Sequence, residues 1–220
     1  MFFDTEFLWQ QVPAILNGMG VTILCSLLAM MFGAIGGVLI GLARVRRIPV
    51  LAGLCAFLVE FVRSTPFPVQ LFFLYYALPN VGIYMSNTVC GVLGLSLVGA
   101  ALVSEVFRGG IAAVPPATVM AGKALALSPR AIFWDIELPI ALRTMVRPLT
   151  GTAIQLFKES SVLYFIAVPE FLYTTFNLAS VHFKEPEMIA AMGVFYLGGG
   201  LAIGLAGIAL ERGLKLERTV

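Results

Sequence analysis

Long apolar runs separated by short polar segments form the dominant pattern of this sequence. A membrane-spanning α-helix needs about 20 consecutive, mainly apolar residues. Five stretches meet that requirement, at approximately 14–43, 57–78, 87–107, 149–168 and 188–210. The pattern therefore predicts an all-α integral membrane protein with about five transmembrane helices, organised as a single domain over residues 1–220.

Two of the apolar runs carry ridges of small residues. Gly33, Gly37 and Gly41 recur at every fourth position in the first run, and Gly200 and Gly204 repeat this spacing in the fifth. Such spacing lets a neighbouring helix approach closely, although glycine is common in membrane helices in general. The ridges are therefore either helix contacts or part of that background.

The stretch RSTP, residues 63–66, is predicted to break the second run. Pro66 and Pro68 favour a kink there, and Gln70 then places a side-chain amide in an apolar environment. The bend is either a packing feature or a device that shapes a path across the membrane. The preceding region, 49–63, is compatible with a helix that begins in the membrane interface.

The composition supports a membrane protein. Hydrophobic residues make up 60% of the chain and charged residues 12%, whereas a soluble domain averages about 25% charged residues. The formal net charge of +2 is too small to indicate nucleic-acid binding. The three cysteines lie in apolar stretches without the spacing of a disulfide framework or a metal site. We therefore expect buried thiols and no metal bound by this chain.

The basic residues are concentrated in alternate loops. They follow the first apolar run at 44–47, lie between the third and fourth runs at 108–147, and follow the fifth run at 212–218. Lys184 is the only basic residue predicted on the opposite side. Because an excess of Lys and Arg marks cytoplasmic loops, this distribution predicts an N-terminus outside and a C-terminus in the cytoplasm.

The interior segment VMAGKALALSPRAIFWDIELP, residues 119–139, is charged where its surroundings are apolar. Residues 119–127 favour a helix, and Ser128 followed by Pro129 is a typical helix start, with serine at the N-cap. The second helix is predicted to end before Pro139, since a residue that precedes proline is disfavoured in helical geometry. The first helix would present a small apolar surface formed by Ala121, Gly122, Ala124, Leu125 and Ala126. Such a surface suits insertion into a groove on another protein; the alternative is an ordinary loop lying on lipid headgroups.

Two charged residues, Lys158 and Glu159, lie near the middle of the fourth run. A charge at the centre of a membrane helix costs at least about 2.5–3.5 kcal/mol, so these residues need a reason to be there. Gln155 lies one turn earlier, and Ser160 and Ser161 extend the polar face. One interpretation is a solute path in which Glu159 meets an ammonium and Lys158 a carboxylate. The other is a structural ion pair with Glu60, Arg63 or Glu105 of neighbouring helices.

The sequence gives little support to an enzyme. No GxxxxGK[ST] phosphate loop is present, so the chain is not expected to bind ATP by that means. The two serines of the fourth run have no histidine in the membrane to activate them. A secondary transporter or a channel subunit without an ATPase partner is the alternative class, although the internal repeat that is usual in such transporters is not visible.

The charged segment resembles the cytoplasmic "EAA" loop of bacterial ABC importer permeases. In that pattern Glu-Ala-Ala is followed after three residues by Gly and after nine more by Ile-x-Leu-Pro. Here the register is Met120-Ala121-Gly122, then Ala126, then Ile136-Glu137-Leu138-Pro139, with every gap matched. The stretches 61–76, 94–115 and 156–171 are similar to the polar amino-acid branch of the same family, and the resemblance covers the chain from about residue 18 to its C-terminus.

The resemblance implies a type I ABC importer permease fold in the bacterial cytoplasmic (inner) membrane, with a coupling loop at about 108–147. It implies three kinds of partner: an ABC ATPase dimer, an extracytoplasmic solute-binding protein and a second permease subunit. This chain would then bind no cofactor, and ATP and Mg²⁺ would be held by the ATPase. The residues implied in ATPase coupling are Met120, Ala121, Gly122, Lys123, Leu125, Ala126, Ser128 and Pro129. Those implied in the substrate path are Gln70, Gln155, Lys158, Glu159, Ser160 and Ser161.

Three departures from the family pattern change the expectation. Met120 stands in place of the glutamate and removes a charge that could pair with the ATPase. Ala126 replaces the glycine, and Val98 replaces an asparagine that is usual in the third run. Ala126 still permits close approach, whereas Met120 and Val98 favour a heterodimer with a homologous permease over a homodimer; the alternative is an atypical substrate.

Overall fold

The computed structural model describes residues 4–213, and its regular elements are all helical. The α-helices are α1 (Thr5–Val45), α2 (Leu51–Ser64), α3 (Phe67–Phe72), α4 (Asn87–Ala112), α5 (Pro116–Ala124), α6 (Pro129–Ala131), α7 (Leu138–Glu159), α8 (Phe171–His182) and α9 (Glu185–Gly213). Wider π-helical turns occupy Phe73–Ala77 and Ile132–Glu137, and tighter 3₁₀ turns occupy Leu78–Val81 and Ser160–Ile166. The tail at 214–220, whose basic residues contribute to the predicted orientation, lies outside the described residues.

Three helices, α1, α4 and α9, are each long and apolar enough to cross a membrane unaided. Two further crossings are bent. The pair α2 and α3 turns through 109°, and the run Pro129–Ile166 meets α8 at 51°. Five spans result when each bent pair counts as one. The second span is therefore broken at RSTP, as its sequence predicts.

The sharp bend between α2 and α3 follows from Pro66. Thr65, the residue before it, is extended, with φ −104° and ψ 132°, because a residue that precedes proline is disfavoured in the α region. The side chain of Gln70 then spans the bend. Its Nε2 donates hydrogen bonds to the carbonyls of Val62, at 2.7 Å, and Thr65, at 2.8 Å. These bonds satisfy carbonyls that the end of α2 leaves without helical partners.

The prediction that the charged segment ends before Pro139 is wrong, because helical structure continues through this proline into α7. The Ile132–Glu137 turn lies directly before it, and the Leu138 N–H donates to the carbonyl of Phe133 five residues back. A π turn of this kind shifts the hydrogen-bond register by one residue. The shift accommodates a residue that has no N–H to donate.

The glycine ridge of α1 is a helix contact and not merely part of the general glycine content of membrane helices. It packs along α4 over the most extensive helix pairing in the fold. A Cβ atom on Gly33 would lie 3.0 Å from Cα of Gly99, and one on Gly37 would lie 2.6 Å from Cβ of Val103. Backbone-to-backbone approach of this kind leaves no room for a side chain.

In α9 the glycines that make close contacts are not Gly200 and Gly204, which the spacing predicts. A Cβ on Gly200 would lie 3.9 Å from Ile154, which is an ordinary contact distance. Gly207 instead faces Thr150 so closely that a Cβ would overlap it. Thus α9 does pack on α7, but Gly200 and Gly204 are not the residues that make the approach possible.

A buried carboxylate joins three helices on the side of the membrane where α8 begins. Glu170 is fully buried and caps α8, accepting hydrogen bonds from the backbone N–H groups of Leu172 and Tyr173 at 2.8 and 2.6 Å. Its Oε2 also accepts from Oγ1 of Thr22 in α1, at 3.3 Å, and from the hydroxyl of Tyr196 in α9, at 3.0 Å. The four donors explain how a glutamate is retained in this interior.

Candidate functional site

A polar cleft lies where the α2–α3 bend meets α4 and α7. It has a volume of about 140 Å³, which is room for several water molecules or part of a small solute. We call this space the polar cleft. It is lined by Val62, Arg63, Thr65, Phe67, Gln70, Val98, Leu102, Gln155 and Glu159. The structure thus brings together three of the predicted path residues from separate parts of the sequence.

The carboxylate of Glu159 is incompletely satisfied. Its Oε1 accepts a 2.8 Å hydrogen bond from Nε2 of Gln155, one helical turn earlier in α7. Its Oε2 is buried and has no hydrogen-bond partner among residues 4–213. Buried polar atoms are normally paired, and an unpaired one calls for an explanation such as a bound water, ion or ligand. A donor placed in the polar cleft would supply the missing bond.

The other predicted path residues lie elsewhere. Lys158 is exposed and does not line the polar cleft, because adjacent residues point about 100° apart around a helix. Ser160 is fully buried and donates to the carbonyl of Phe157, while Ser161 donates to that of Lys158. Both serines lie where α7 tightens into the 3₁₀ turn, and their hydroxyls bond to backbone carbonyls of α7.

The ion pairs of this region involve other residues. Glu105 pairs with Arg44 of α1 at 2.6 Å and with Arg108 at 2.7 Å, and Arg63 lies 3.8 Å from Glu60. Within residues 4–213 neither charged residue of the fourth run has an ion-pair partner at 4.0 Å or less. Glu60, Arg63 and Glu105, the alternative structural partners of Lys158 and Glu159, therefore lie in other ion pairs.

Two polar side chains of the cleft, those of Arg63 and Thr65, are not among the predicted path residues. They belong to the RSTP stretch, whose sequence predicts a break but not its angle. Because the chain turns through 109°, residues on both sides of Pro66 face the same space. Val98, which stands where the family pattern has asparagine, lies in the same wall.

A second surface of interest is the coupling segment, which we define as residues 116–137. Its first helix, α5, begins at Pro116 and so starts three residues earlier than the predicted 119–127. The end of α5 is a Schellman motif, in which the N–H of Leu127 donates to Gly122 and that of Ala126 to Lys123. Ala126 takes the left-handed conformation of this motif, with φ 54°. Glycine is the usual residue there, which gives a physical reason for the glycine in the family pattern.

The second helix of the coupling segment starts as its sequence predicts. Ser128 is the N-cap, and its Oγ accepts a 3.1 Å hydrogen bond from the N–H of Ala131. Pro129 occupies the first helical position, where its missing N–H costs nothing. The tight turn between the two short helices is therefore defined by a left-handed residue on one side and a serine cap on the other.

The exposed face of the coupling segment differs from the predicted smooth surface. Met120 and Leu125 project from it with 66% and 76% exposure. Gly122 is buried instead, and a Cβ on it would lie 3.0 Å from Cδ1 of Ile136. This glycine allows α5 to pack on the following π turn and does not contribute to the outer surface. Ala121, Lys123, Ala126, Ser128 and Pro129 are exposed.

The structure offers no metal centre within residues 4–213, where no group of three or more His, Cys, Asp or Glu side chains comes together. The three cysteines are free and buried, which confirms the expectation of buried thiols.

Residues 33–215 match the family described as the binding-protein-dependent transport system inner membrane component. The chain belongs to this family. It is 33% identical over 170 residues to a probable amino-acid ABC transporter permease, YckA of Bacillus subtilis, covering 77% of this chain and 75% of the relative. It is also 29% identical over 218 residues to the glutamine transport system permease GlnP of Escherichia coli K12, covering 98% and 100%.

Solved structures share the fold. The crystal structure of an amino acid ABC transporter with histidines matches with a TM-score of 0.91 at 24% identity, over 96% of this chain and 99% of that chain. An inward-facing form of the MetNI methionine ABC transporter matches with a TM-score of 0.80 at 18% identity, over 93% and 98%. The fold is that of type I ABC importer permeases.

The protein is therefore the transmembrane permease subunit of an ABC importer and a multi-pass protein of the inner membrane. It is a transport subunit and not an enzyme. Subunits of this family work in general with an ATPase and a solute-binding protein.

Proposed function

We propose that this chain forms one half of the translocation path for polar amino acids or related small solutes, and that the polar cleft binds the solute during passage. The observation that carries the proposal is the buried Oε2 of Glu159, which lacks a partner and lies in a cleft with two glutamine side chains. The names of the relatives, which are amino-acid and glutamine permeases, point to the same substrate class.

The chemistry of the polar cleft favours a solute that carries an ammonium group. A carboxylate is an acceptor only, so its missing partner must be a donor. The guanidinium of Arg63 and the hydroxyl of Thr65 line the same cleft and could meet a carboxylate or an amide of the solute. A zwitterionic amino acid offers both kinds of group, whereas a sugar or an inorganic anion lacks the ammonium.

The cleft of this chain would be completed by a second permease subunit. Its volume of about 140 Å³ is small beside the roughly 300–1,000 Å³ of typical ligand pockets. Because Val98 contributes an apolar wall, we propose a homologous partner that supplies the missing polar side chains, and thus a heterodimer. An external solute-binding protein would deliver the solute, with the N-terminus outside and the C-terminus in the cytoplasm.

The coupling segment would dock on the ATPase dimer, which holds ATP and Mg²⁺. The support is its exposed face, with Met120, Lys123 and Leu125 projecting from a compact pair of helices. Within the cytoplasmic loop of about 108–147, this face would receive the motion of the ATPase. Met120 can provide an apolar contact there but not the ion pair that a glutamate would form.

Purification of the complete complex tests this proposal. The full chain, expressed with its native neighbours and recovered through a tag, should bring an ATPase and a second, non-identical permease. In proteoliposomes with the solute-binding protein, uptake should depend on ATP and be competed by amino acids, but not by the corresponding deaminated acids. Competition by the deaminated acids would contradict the ammonium site, and recovery of a single permease species would contradict the heterodimer.

A further inference from the structure

A second, larger cleft lies between the end of α1, the end of α4 and the coupling segment. Its volume is about 860 Å³, and none of the polar-cleft residues contributes to it. Two arginines from different elements line it, Arg46 after α1 and Arg130 in α6, together with the exposed ring of Trp134. We call this space the basic cleft.

An apolar groove opens beside the basic cleft. It has a volume of about 270 Å³ and is lined only by aliphatic, aromatic and methionine side chains of α1, α4, α7 and the π turn. Three residues, Leu42, Phe133 and Trp134, belong to both spaces. A cationic site thus adjoins a purely apolar groove, and a tryptophan stands at the junction.

The arginines of the basic cleft are not neutralised within the described chain. Neither Arg46 nor Arg130 has a carboxylate within 4.0 Å among residues 4–213, whereas Arg44 and Arg108 nearby are both paired with Glu105. The guanidinium of Arg46 lies over the ring of Phe133, 5.1 Å from its centroid. Stacking of this kind holds the plane of the group and leaves its N–H donors available at the edge. Glu137 is the one acidic residue of the lining, and its negative charge would repel a bound anion.

We propose that the basic cleft and the adjoining groove together bind one anionic phospholipid. The phosphate of the headgroup would lie between Arg46 and Arg130, and an acyl chain would occupy the apolar groove. Basic pockets between membrane helices on the cytoplasmic side are suited to anionic headgroups, and tryptophan favours the level of the headgroups. A soluble phosphate would satisfy the arginines but would leave the groove unexplained, and for this reason we assign the site to a lipid.

The site connects two parts of the protein that the fold holds at the same end. A headgroup between Arg46 and Arg130 would tie the end of α1 to the coupling segment. Lipid binding would then restrain the segment that we propose meets the ATPase. This inference does not depend on which solute is carried.

Tryptophan fluorescence can test the site, because the chain has only two tryptophans, Trp9 and Trp134. Trp9 lies at the opposite end of α1 and is removed by Trp9→Phe in the full chain. The chain is placed in phosphatidylcholine vesicles that contain either brominated phosphatidylglycerol or the same fraction of brominated phosphatidylcholine. We expect stronger quenching of Trp134 by the anionic lipid. Arg46→Gln and Arg130→Gln should each lower this preference about fivefold.

Two matched variants make the result specific. Arg143→Gln removes an exposed arginine of α7 that lines neither space, and it should leave the preference unchanged. Glu137→Gln removes the opposing carboxylate and should raise the preference, an effect that a misfolded variant would not produce. Added inorganic phosphate should not displace the lipid.

Several outcomes would overturn the proposal. Equal quenching by the two brominated lipids would show that the site does not select an anionic headgroup. An equal loss in Arg143→Gln would indicate diffuse surface charge, and displacement by inorganic phosphate would assign the arginines to a soluble anion. Absence of quenching by either lipid would show that acyl chains do not enter the groove.

Discussion

Gln155 and Glu159 lie one turn apart on α7, and the amide of the first donates a 2.8 Å hydrogen bond to Oε1 of the second. The bond fixes the carboxylate in the wall of the polar cleft and leaves Oε2 buried without a partner. The hydrogen bond from Gln155 therefore orients the carboxylate of Glu159 but leaves one of its two oxygens without a donor, as expected for a side chain that binds a ligand.

The change Glu159→Gln should lower solute uptake per assembled complex roughly ten- to a hundredfold. The shape is kept, but a charge-assisted hydrogen bond worth about 1.5–3 kcal/mol to the solute ammonium is lost. Uptake in proteoliposomes, normalised to complex recovered, measures the effect. Glu185→Gln, at an exposed position where α9 begins, is the control and should transport normally. Normal uptake per complex combined with poor assembly would show that Glu159 holds helices together instead.

Glu170→Gln should act on stability and not on solute selectivity. The carboxylate accepts four hydrogen bonds, three at Oε2 and one at Oε1. The amide nitrogen of glutamine cannot accept, so at least one of these bonds is lost whichever way the amide turns. Leaving buried donors unpaired costs about 1–3 kcal/mol each. Thermal unfolding of the purified complex should shift downwards, while the relative uptake of competing solutes stays the same. A change in solute preference at normal stability would contradict this structural role.

Gly37→Ala should destabilise the α1–α4 packing by about 1–3 kcal/mol, because the added methyl group has no space. Its Cβ would lie 2.6 Å from Cβ of Val103 and 2.8 Å from the carbonyl oxygen of Ala100. Gly20→Ala in the same helix is the control, since nothing lies within 4 Å of its Cβ position. The two variants should separate in thermal stability, and similar unfolding temperatures would argue against the close approach.

Ala126→Gly should stabilise the end of α5 by about 1 kcal/mol, because an L-residue is strained at φ 54° and glycine is not. The same change at Ala121, inside the α5 helix, should have the opposite sign. Hydrogen exchange of the α5 amides measures both, with slower exchange expected for the first variant and faster for the second. Faster exchange in both would mean that position 126 is not left-handed.

The orientation can be read with reporters. A reporter fused after Val220 should be active in the cytoplasm, and one inserted between α8 and α9 at Lys184 should be active outside, because the basic loops set the direction of insertion. The reversed pattern would overturn the assignment of the coupling segment to the side of the ATPase. A reporter after Arg47 gives an independent reading, which should be cytoplasmic.

The sequence was most informative where one residue determines the local geometry. Ser128 and Pro129 predict a helix start that the structure confirms, since the cap depends only on the serine oxygen and the backbone. The apolar runs predict the spans because each must be about as long as the membrane is thick. The cleft residues were found in part because Gln155 and Glu159 share a helix face by spacing alone.

The rest depends on contacts that no single stretch of sequence contains. Pro66 predicts a break, but the angle of 109° comes with packing against α4 and with the bonds of Gln70 across the bend. Ala126 carries no tendency toward the left-handed region, so its conformation follows from the Schellman bonds around it. Pro139 predicts the end of a helix, but the π turn before it lets the helix continue through the proline.

The helical run from Pro129 through α7 to Glu159 is interrupted by no loop. At about 1.5 Å per residue it extends roughly 45 Å, with a π turn at Ile132–Glu137 and a proline at position 148 but no intervening loop. The coupling segment and the wall of the polar cleft are therefore two ends of one continuous helical element. A displacement of the coupling segment along this axis would also displace Glu159, so events at the surface and in the cleft share one physical connection.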